Sequence, residues 1–157
     1  MLFRSLSNPY TGVLAIFASR LLNGQAPMIF EDGEQRRDFV HVKDVARAFA
    51  DALTLPEAAG GTFNIGSGQD RSVKEVAAEL ARAMGRSIQA EVVGKARTGD
   101  IRHCFCDTSL SRERLGFEAR EDFGEGLALL AEWVATQTAE DRVDTARKEL
   151  ETRGLVA

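Results

Sequence analysis

An α/β fold with a small mixed sheet is the class this sequence predicts, and three observations predict it. Short apolar runs bounded by turn residues alternate with segments of helical periodicity. Those runs are too short and too unevenly spaced for a full doubly wound sheet. The chain has 157 residues, 44% hydrophobic and 28% charged, which is enough for one domain with a real core.

The elements follow in order. A polar opening, Arg4 to Thr11, contains Asn8-Pro9-Tyr10. Val13, Ile16, Phe17 and Leu21 then recur at helical spacing, and Asn23-Gly24 supplies a stop. Pro27 to Phe30 reads as a strand, Glu31-Asp32-Gly33-Glu34 as a turn, and Arg37 to Val42 as a second strand that pairs with the first or leads to a neighbour. Asp44 is the expected N-cap of a helix carrying Val45, Phe49, Ala52 and Leu53, ended by Pro56 and Gly60-Gly61. Thr62 to Ile65 reads as a strand. Ser72 and Glu75 have capping-box spacing, and the helix they open buries Val73, Val76, Ala77, Leu80 and Met84. A strand over Ile88–Val93, a short helix over Asp107–Leu115 and a longer one over Gly126–Thr136 complete the body. Glu140 to Arg153 is a charged helical tail with Val143, Ala146 and Leu150 as its one apolar stripe.

Composition excludes several classes of function. A net charge of −4 does not suit a partner of nucleic acid or of an anionic membrane. There is no apolar run of membrane-spanning length and no signal-peptide pattern at Met1–Ser5. Cys104 and Cys106 are too close for an ordinary structural disulfide, so a reducing cytoplasm is the expected location. His103 beside these cysteines lacks the further ligands a zinc site needs, and the pair reads as small apolar packing. His41, flanked by Val40 and Val42, reads as a core histidine. Gly66-Ser67-Gly68 runs from strand to helix like a dinucleotide fingerprint, but Arg71 stands where the third glycine belongs; a glycine-rich turn is the better reading.

Two arginines carry chemistry. Arg37 follows a tight turn, and Arg97 opens Arg97-Thr98-Gly99-Asp100 after a β-branched run. A guanidinium fork suits a diphosphate, at about 1.5–3 kcal/mol per charge-assisted bond.

The order of motifs resembles the extended short-chain dehydrogenase/reductase family, of the NAD-dependent epimerase/dehydratase type. It runs through Asn8-Pro9-Tyr10-Thr11-Gly12-Val13, Arg20-Leu21-Leu22-Asn23-Gly24, Ile29 to Val42 with Asp44-Val45-Ala46, and Phe63-Asn64-Ile65-Gly66. It continues through Arg97-x-Gly99-Asp100, Asp107-Thr108-Ser109, Leu115-Gly116-Phe117, Gly126-Leu127 and Trp133. Nearly the whole chain is covered. Within the family the pattern is similar to nucleotide-sugar 4-epimerases that use UDP- or dTDP-hexoses.

The resemblance implies that this chain is the C-terminal, substrate-binding domain, with 1–137 as the nucleotide-sugar-binding part and 138–157 as the tail. It implies that Arg37 and Arg97 hold the diphosphate, Asp100 the ribose, the backbone at Met28 and the ring of Phe30 the pyrimidine, that Val13 borders the nucleotide, and that Cys104 lines the sugar pocket. The family's Rossmann half binds NAD and carries a Tyr-x-x-x-Lys pair. This sequence has no Gly-x-x-Gly-x-x-Gly, and its single tyrosine, Tyr10, has Leu14 four places on. No cofactor site, catalytic residue or metal site is therefore expected in this chain; NAD is expected in the parent enzyme. Expected partners are a nucleotide-sugar, and either the missing Rossmann half or a second copy. A dehydratase or reductase of the same family, and a non-catalytic binding or interaction module, stand as alternatives.

Overall fold

Residues 12–96, 98–138 and 143–156 are described by a computed structural model of the chain. Its order is α1 (Val13–Leu22), β1 (Met28–Ile29), β2 (Arg36–Asp38), α2 (Val42–Thr54), a 3-10 turn (Pro56–Ala58), β3 (Asp70–Ser72), α3 (Val73–Ala83), β4 (Glu91–Val92), β5 (His103–Cys104), α4 (Ser109–Leu115), α5 (Phe123–Ala135) and α6 (Val143–Thr152). The α/β class with small sheets is the one expected. The chain divides into two compact units.

The first unit takes its residues from 1–35, 72–102 and 127–157. Its sheet is β1 and β4, parallel, with Met28 opposite Glu91 and Ile29 opposite Val92. α1 packs against α3, and Phe17, Ala18 and Leu21 are buried on one helix, Val76, Ala77, Leu80 and Ala81 on the other. Those spacings are the i, i+3, i+4 stripe of a helix facing a core. The expected capping box opens α3: Ser72 Oγ accepts from the Glu75 amide at 3.1 Å, and Glu75 Oε2 accepts from the Ser72 amide at 2.7 Å. Two orphan donors of the first turn are thereby satisfied. α5 adds Leu127, Ala131 and Val134 to the buried residues.

The second unit spans 36–71 and 103–126. β2 is the middle strand of a three-stranded sheet in the order β3-β2-β5, and β2 and β5 run parallel. Ala48, Leu115 and Phe117 form its core, with Leu55, Ala58, Phe63 and Ile65 packed against them. α4 ends at Gly116 with φ 61°, a left-handed stop that turns Phe117 inward.

Several expectations are corrected. Of the Arg37–Val42 segment only Arg37 and Asp38 lie in a strand, β2, and α2 begins already at Val42 with His41 as its cap, not Asp44. Of the two readings left open for the second segment, pairing with the first does not occur, since β1 and β2 lie in different sheets. Thr62–Ile65 is not a strand: Phe63 and Ile65 alternate inward as its pattern implied, but no ladder forms there. α2 buries Asp44 and Ala48, while Phe49 and Leu53 are 71% and 88% exposed. The tail helix α6 is tied to the first unit, since Asp144 faces the buried Arg20 at 3.6 Å. No helix of the described residues is long and apolar enough to cross a membrane.

Candidate functional site

In the first unit the expected pyrimidine segment is the end of β1. Met28 is buried and Phe30 half-buried. The buried Gln35 amide donates to the Phe30 carbonyl at 2.9 Å, so the backbone there is fixed from below. Gly33 makes the following turn possible. Its φ is 81°, and a Cβ would lie 3.1 Å from Ile29 Cγ2 and 3.2 Å from Lys74 Cβ, so both conformation and space favour glycine.

The same turn receives Arg102. Its guanidinium donates to Glu31 Oε2 at 2.9 Å and forks onto Asp32 at 3.2 and 2.7 Å. The Arg102 hydrogen bond, helped by the Glu34 amide, draws the Asp32 carboxyl down to about 2. Arg102 thereby fastens the far end of the Arg-Thr-Gly-Asp loop to the residues after Phe30. Asp100, inside that loop, is half-buried. Arg97 lies outside the described residues. Val13 is the first residue of α1, half-buried, after Gly12 in extended conformation. Helix starts of this kind leave amides free for an anion.

In the second unit Arg37 and Cys104 are register partners across β2 and β5. In-register neighbours of parallel strands leave the sheet on the same face, so these two expected site residues, 67 positions apart, stand side by side. Arg37 Nη1 donates to the Arg36 carbonyl at 2.8 Å, and Cys104 is exposed. Behind them Arg36 pairs with Asp70 and joins β2 to β3.

Asp38 was not singled out by the sequence, yet it organises the glycine-rich turn. Its carboxylate accepts from the Ser67 amide at 2.8 Å, the Ser67 hydroxyl at 2.7 Å and the Gly68 amide at 3.4 Å. Gly66 sits so close to Asp38 and the Cys106 sulfur that a Cβ would collide with both. Burial first, then the Asp38 charge, pushes the Cys106 thiol above its ordinary value. Cys106 is thus a packed thiol. Arg71, in the place of a third glycine, lies 4.3 Å from the centre of the Phe123 ring. The Ser67 and Gly68 amides of this turn are thus taken by a carboxylate.

His41 is half-buried rather than a core histidine: Nδ1 accepts from the Lys43 amide at 3.2 Å and lies 4.0 Å from Glu121. The surprise is Asp44, fully buried. It accepts from the Arg120 amide at 3.1 and 3.2 Å and the Glu121 amide at 3.1 Å, and pairs with Arg47 at 2.7 Å. The i, i+3 spacing of Asp44 and Arg47 is legible in the sequence; the partnership with residue 120 is not. Among the described residues no cluster of three or more His, Cys, Asp or Glu side chains could hold a metal ion.

Residues 4–66 match the model of the NAD dependent epimerase/dehydratase family. Within it the similarity is to nucleotide-sugar 4-epimerases. The chain is 36% identical over 134 residues to dTDP-L-rhamnose 4-epimerase of Burkholderia thailandensis, covering 85% of this chain and 37% of that protein. It is 38% identical over 122 residues to UDP-glucose 4-epimerase of Mycolicibacterium smegmatis, covering 78% and 38%. Among solved structures, UDP-glucose 4-epimerase of Thermotoga maritima with UDP-glucose superposes with a TM-score of 0.72 at 36% identity, over 81% of this chain and 41% of the other. UDP-N-acetylglucosamine 4-epimerase of Methanobrevibacter ruminantium M1, in complex with UDP-N-acetylmuramic acid, gives 0.77 at 29%, over 86% and 43%. The chain thus spans well under half the length of these relatives.

Proposed function

We propose that this chain is the nucleotide-sugar-binding portion of an NAD-dependent nucleotide-sugar 4-epimerase, and that it does not epimerise on its own. Residues 1–137 are the binding domain and 138–157 its helical tail. Arg37 and Arg97 take the diphosphate of a UDP- or dTDP-sugar, Asp100 the ribose, Met28 and Phe30 the base, with Val13 beside the nucleotide and Cys104 against the sugar. The observation that supports this best is the pairing of Arg37 with Cys104 on one sheet face. In a nucleotide-sugar the phosphates and the hexose are adjacent, so a phosphate-binding cation and a sugar-lining residue belong next to each other.

The chemistry of the reacting carbon falls to NAD, a cofactor that carries the hydride. In this chain's glycine-rich turn the Ser67 and Gly68 amides donate to Asp38, which supports a chain that leaves NAD to the cofactor portion. What the residues here supply is grip and orientation. A half-buried guanidinium offers charge-assisted bonds to phosphate oxygens, and such binding energy, made away from the reacting carbon, holds the sugar in place for the step.

Calorimetric titration of the 157-residue chain with UDP-glucose and with NAD tests the reading. Saturable heat with the sugar nucleotide, none with NAD and no turnover in a coupled assay are expected. Micromolar NAD binding, or epimerisation by the chain alone, would sink it.

A further inference from the structure

We infer that the end of the C-terminal helix is a strap on the nucleotide loop, with Glu151 and Leu155 as positioning residues; this rests on the nucleotide-binding reading above. α6 ends in a left-handed turn. Gly154 has φ 66°, its amide donates to the Glu151 carbonyl at 3.0 Å, and the Leu155 amide reaches back to the Leu150 carbonyl at 2.9 Å. That is the paired 5→2 and 6→1 bonding that reverses a chain after a helix. The reversal presents the Leu155 carbonyl to the loop, where it accepts from the Thr98 amide at 2.9 Å. One turn earlier, Glu151 Oε1 accepts from Lys95 Nζ at 2.9 Å. The Lys95 hydrogen bond holds the Glu151 carboxyl below its ordinary value.

The other flank of the loop is fastened independently. The Lys95 carbonyl accepts from the Glu31 amide at 2.9 Å, and Arg102 forks onto Asp32. Thr98 lies midway between Lys95 and Arg102, two residues before Asp100. A loop that must be ordered by its ligand spends binding energy on that ordering, whereas one already tied down does not. Gly99, next to Thr98, has φ 80° and open space where a Cβ would stand. The tail supplies the fastening at this point.

The test uses the whole chain, a chain ending at Arg153, which keeps the Glu151–Lys95 pair but lacks the Leu155 carbonyl, and Gly154→Val, which opposes the left-handed turn. Amide exchange at Thr98 and UDP affinity are read on all three. Thr98 is expected to exchange at least about fivefold faster in both variants, the loss of one net hydrogen bond, and UDP to bind about fivefold more weakly. Melting should be almost unchanged. Unchanged Thr98 exchange overturns the strap. Faster exchange with unchanged UDP affinity overturns its positioning role while leaving nucleotide binding intact. Failure of the whole chain to bind UDP overturns the nucleotide reading and this role with it, and the exchange data then still report whether the tail holds the loop.

Discussion

Asp44 should be the residue whose neutralisation costs this protein most stability per atom changed. Its carboxylate is wholly buried and accepts from two backbone amides and from Arg47, which together tie residues 120 and 121 to the first turn of α2. Asp44→Asn replaces one acceptor oxygen by a donor amide that faces donors. Removing one partner from a buried pair costs about 3–5 kcal/mol. Arg47 is 26% exposed and can rehydrate, so the lower end, about 3 kcal/mol, is expected. The effect has a pH signature. Burial alone would raise the Asp44 pKa, but the amides of Arg120 and Glu121, with Arg47, outweigh it and hold it below its ordinary value. A carboxylate depressed in the folded state contributes stability that is full above its unfolded pKa and is lost as pH falls through the folded one. The gap between wild type and Asp44→Asn should therefore be widest near pH 7 and narrow below about pH 4. Urea titrations followed by circular dichroism at neutral and acid pH measure it. Asp32, Asp107 and Glu151 also titrate low, but they are shared by both proteins and cancel in the difference. A neutral-pH gap under about 0.5 kcal/mol, the range of an ordinary surface change, would refute the reasoning. So would a gap that ignores pH.

Three further outcomes are expected. Gly66→Ala should destabilise by about 1–3 kcal/mol, the range for overpacking, because the new methyl meets both Asp38 and the Cys106 sulfur; calorimetric melting would show it, and an unchanged midpoint would count against the close approach. Val42, Phe49 and Leu53 are 73%, 71% and 88% exposed, and their spacing of seven and four puts them on one face of α2, so the chain should self-associate and Phe49→Lys should shift it towards monomer in light scattering. A wild-type monomer at high concentration would contradict that. Leu2, Phe3, Leu6 and Tyr10, the large apolar residues of the opening, lie outside the described residues. In an enzyme that carries the cofactor portion, Cys104→Tyr should cut turnover of an N-acetylhexosamine nucleotide about 10–200-fold and largely spare the plain hexose, since added room in a pocket is worth about 1–3 kcal/mol; equal losses would show that Cys104 does not set the space.

The helices were legible because their signals are local. Ser72 and Glu75 are three apart and cap each other as their spacing implied. The stripes of α1 and α3 needed only periodicity, and Gly116 marked the end of α4 as part of Leu115-Gly116-Phe117. The strands were legible only in part: β1 and β4 fall inside the expected Pro27–Phe30 and Ile88–Val93 runs, but β3 and β5 were not foreseen, because each has only two or three residues and its existence depends on a distant partner. β3 is Asp70-Arg71-Ser72, with no apolar alternation at all, and it forms beside β2, where Arg36 meets Asp70. Thr62–Ile65 shows the converse, a true alternation with no ladder. The same holds for the candidate site. Arg37 could be singled out as a guanidinium after a tight turn, but nothing near it in sequence says that Cys104 is its register partner. Asp38 and Asp44 were missed or misread for that reason. Their donors, at 67–68 and 120–121, are supplied by tertiary structure.

The central claim is that Arg37 binds the nucleotide-sugar, and affinity and melting of Arg37→Ala measured together test it most directly. UDP-glucose titrated into wild type and variant, with a melting curve on each, should show affinity falling by about 1.5–3 kcal/mol, the worth of charge-assisted bonds to phosphate, while the melting midpoint barely moves. Equal affinity in the two proteins, with a large fall in the midpoint, would make Arg37 a structural residue and contradict the account.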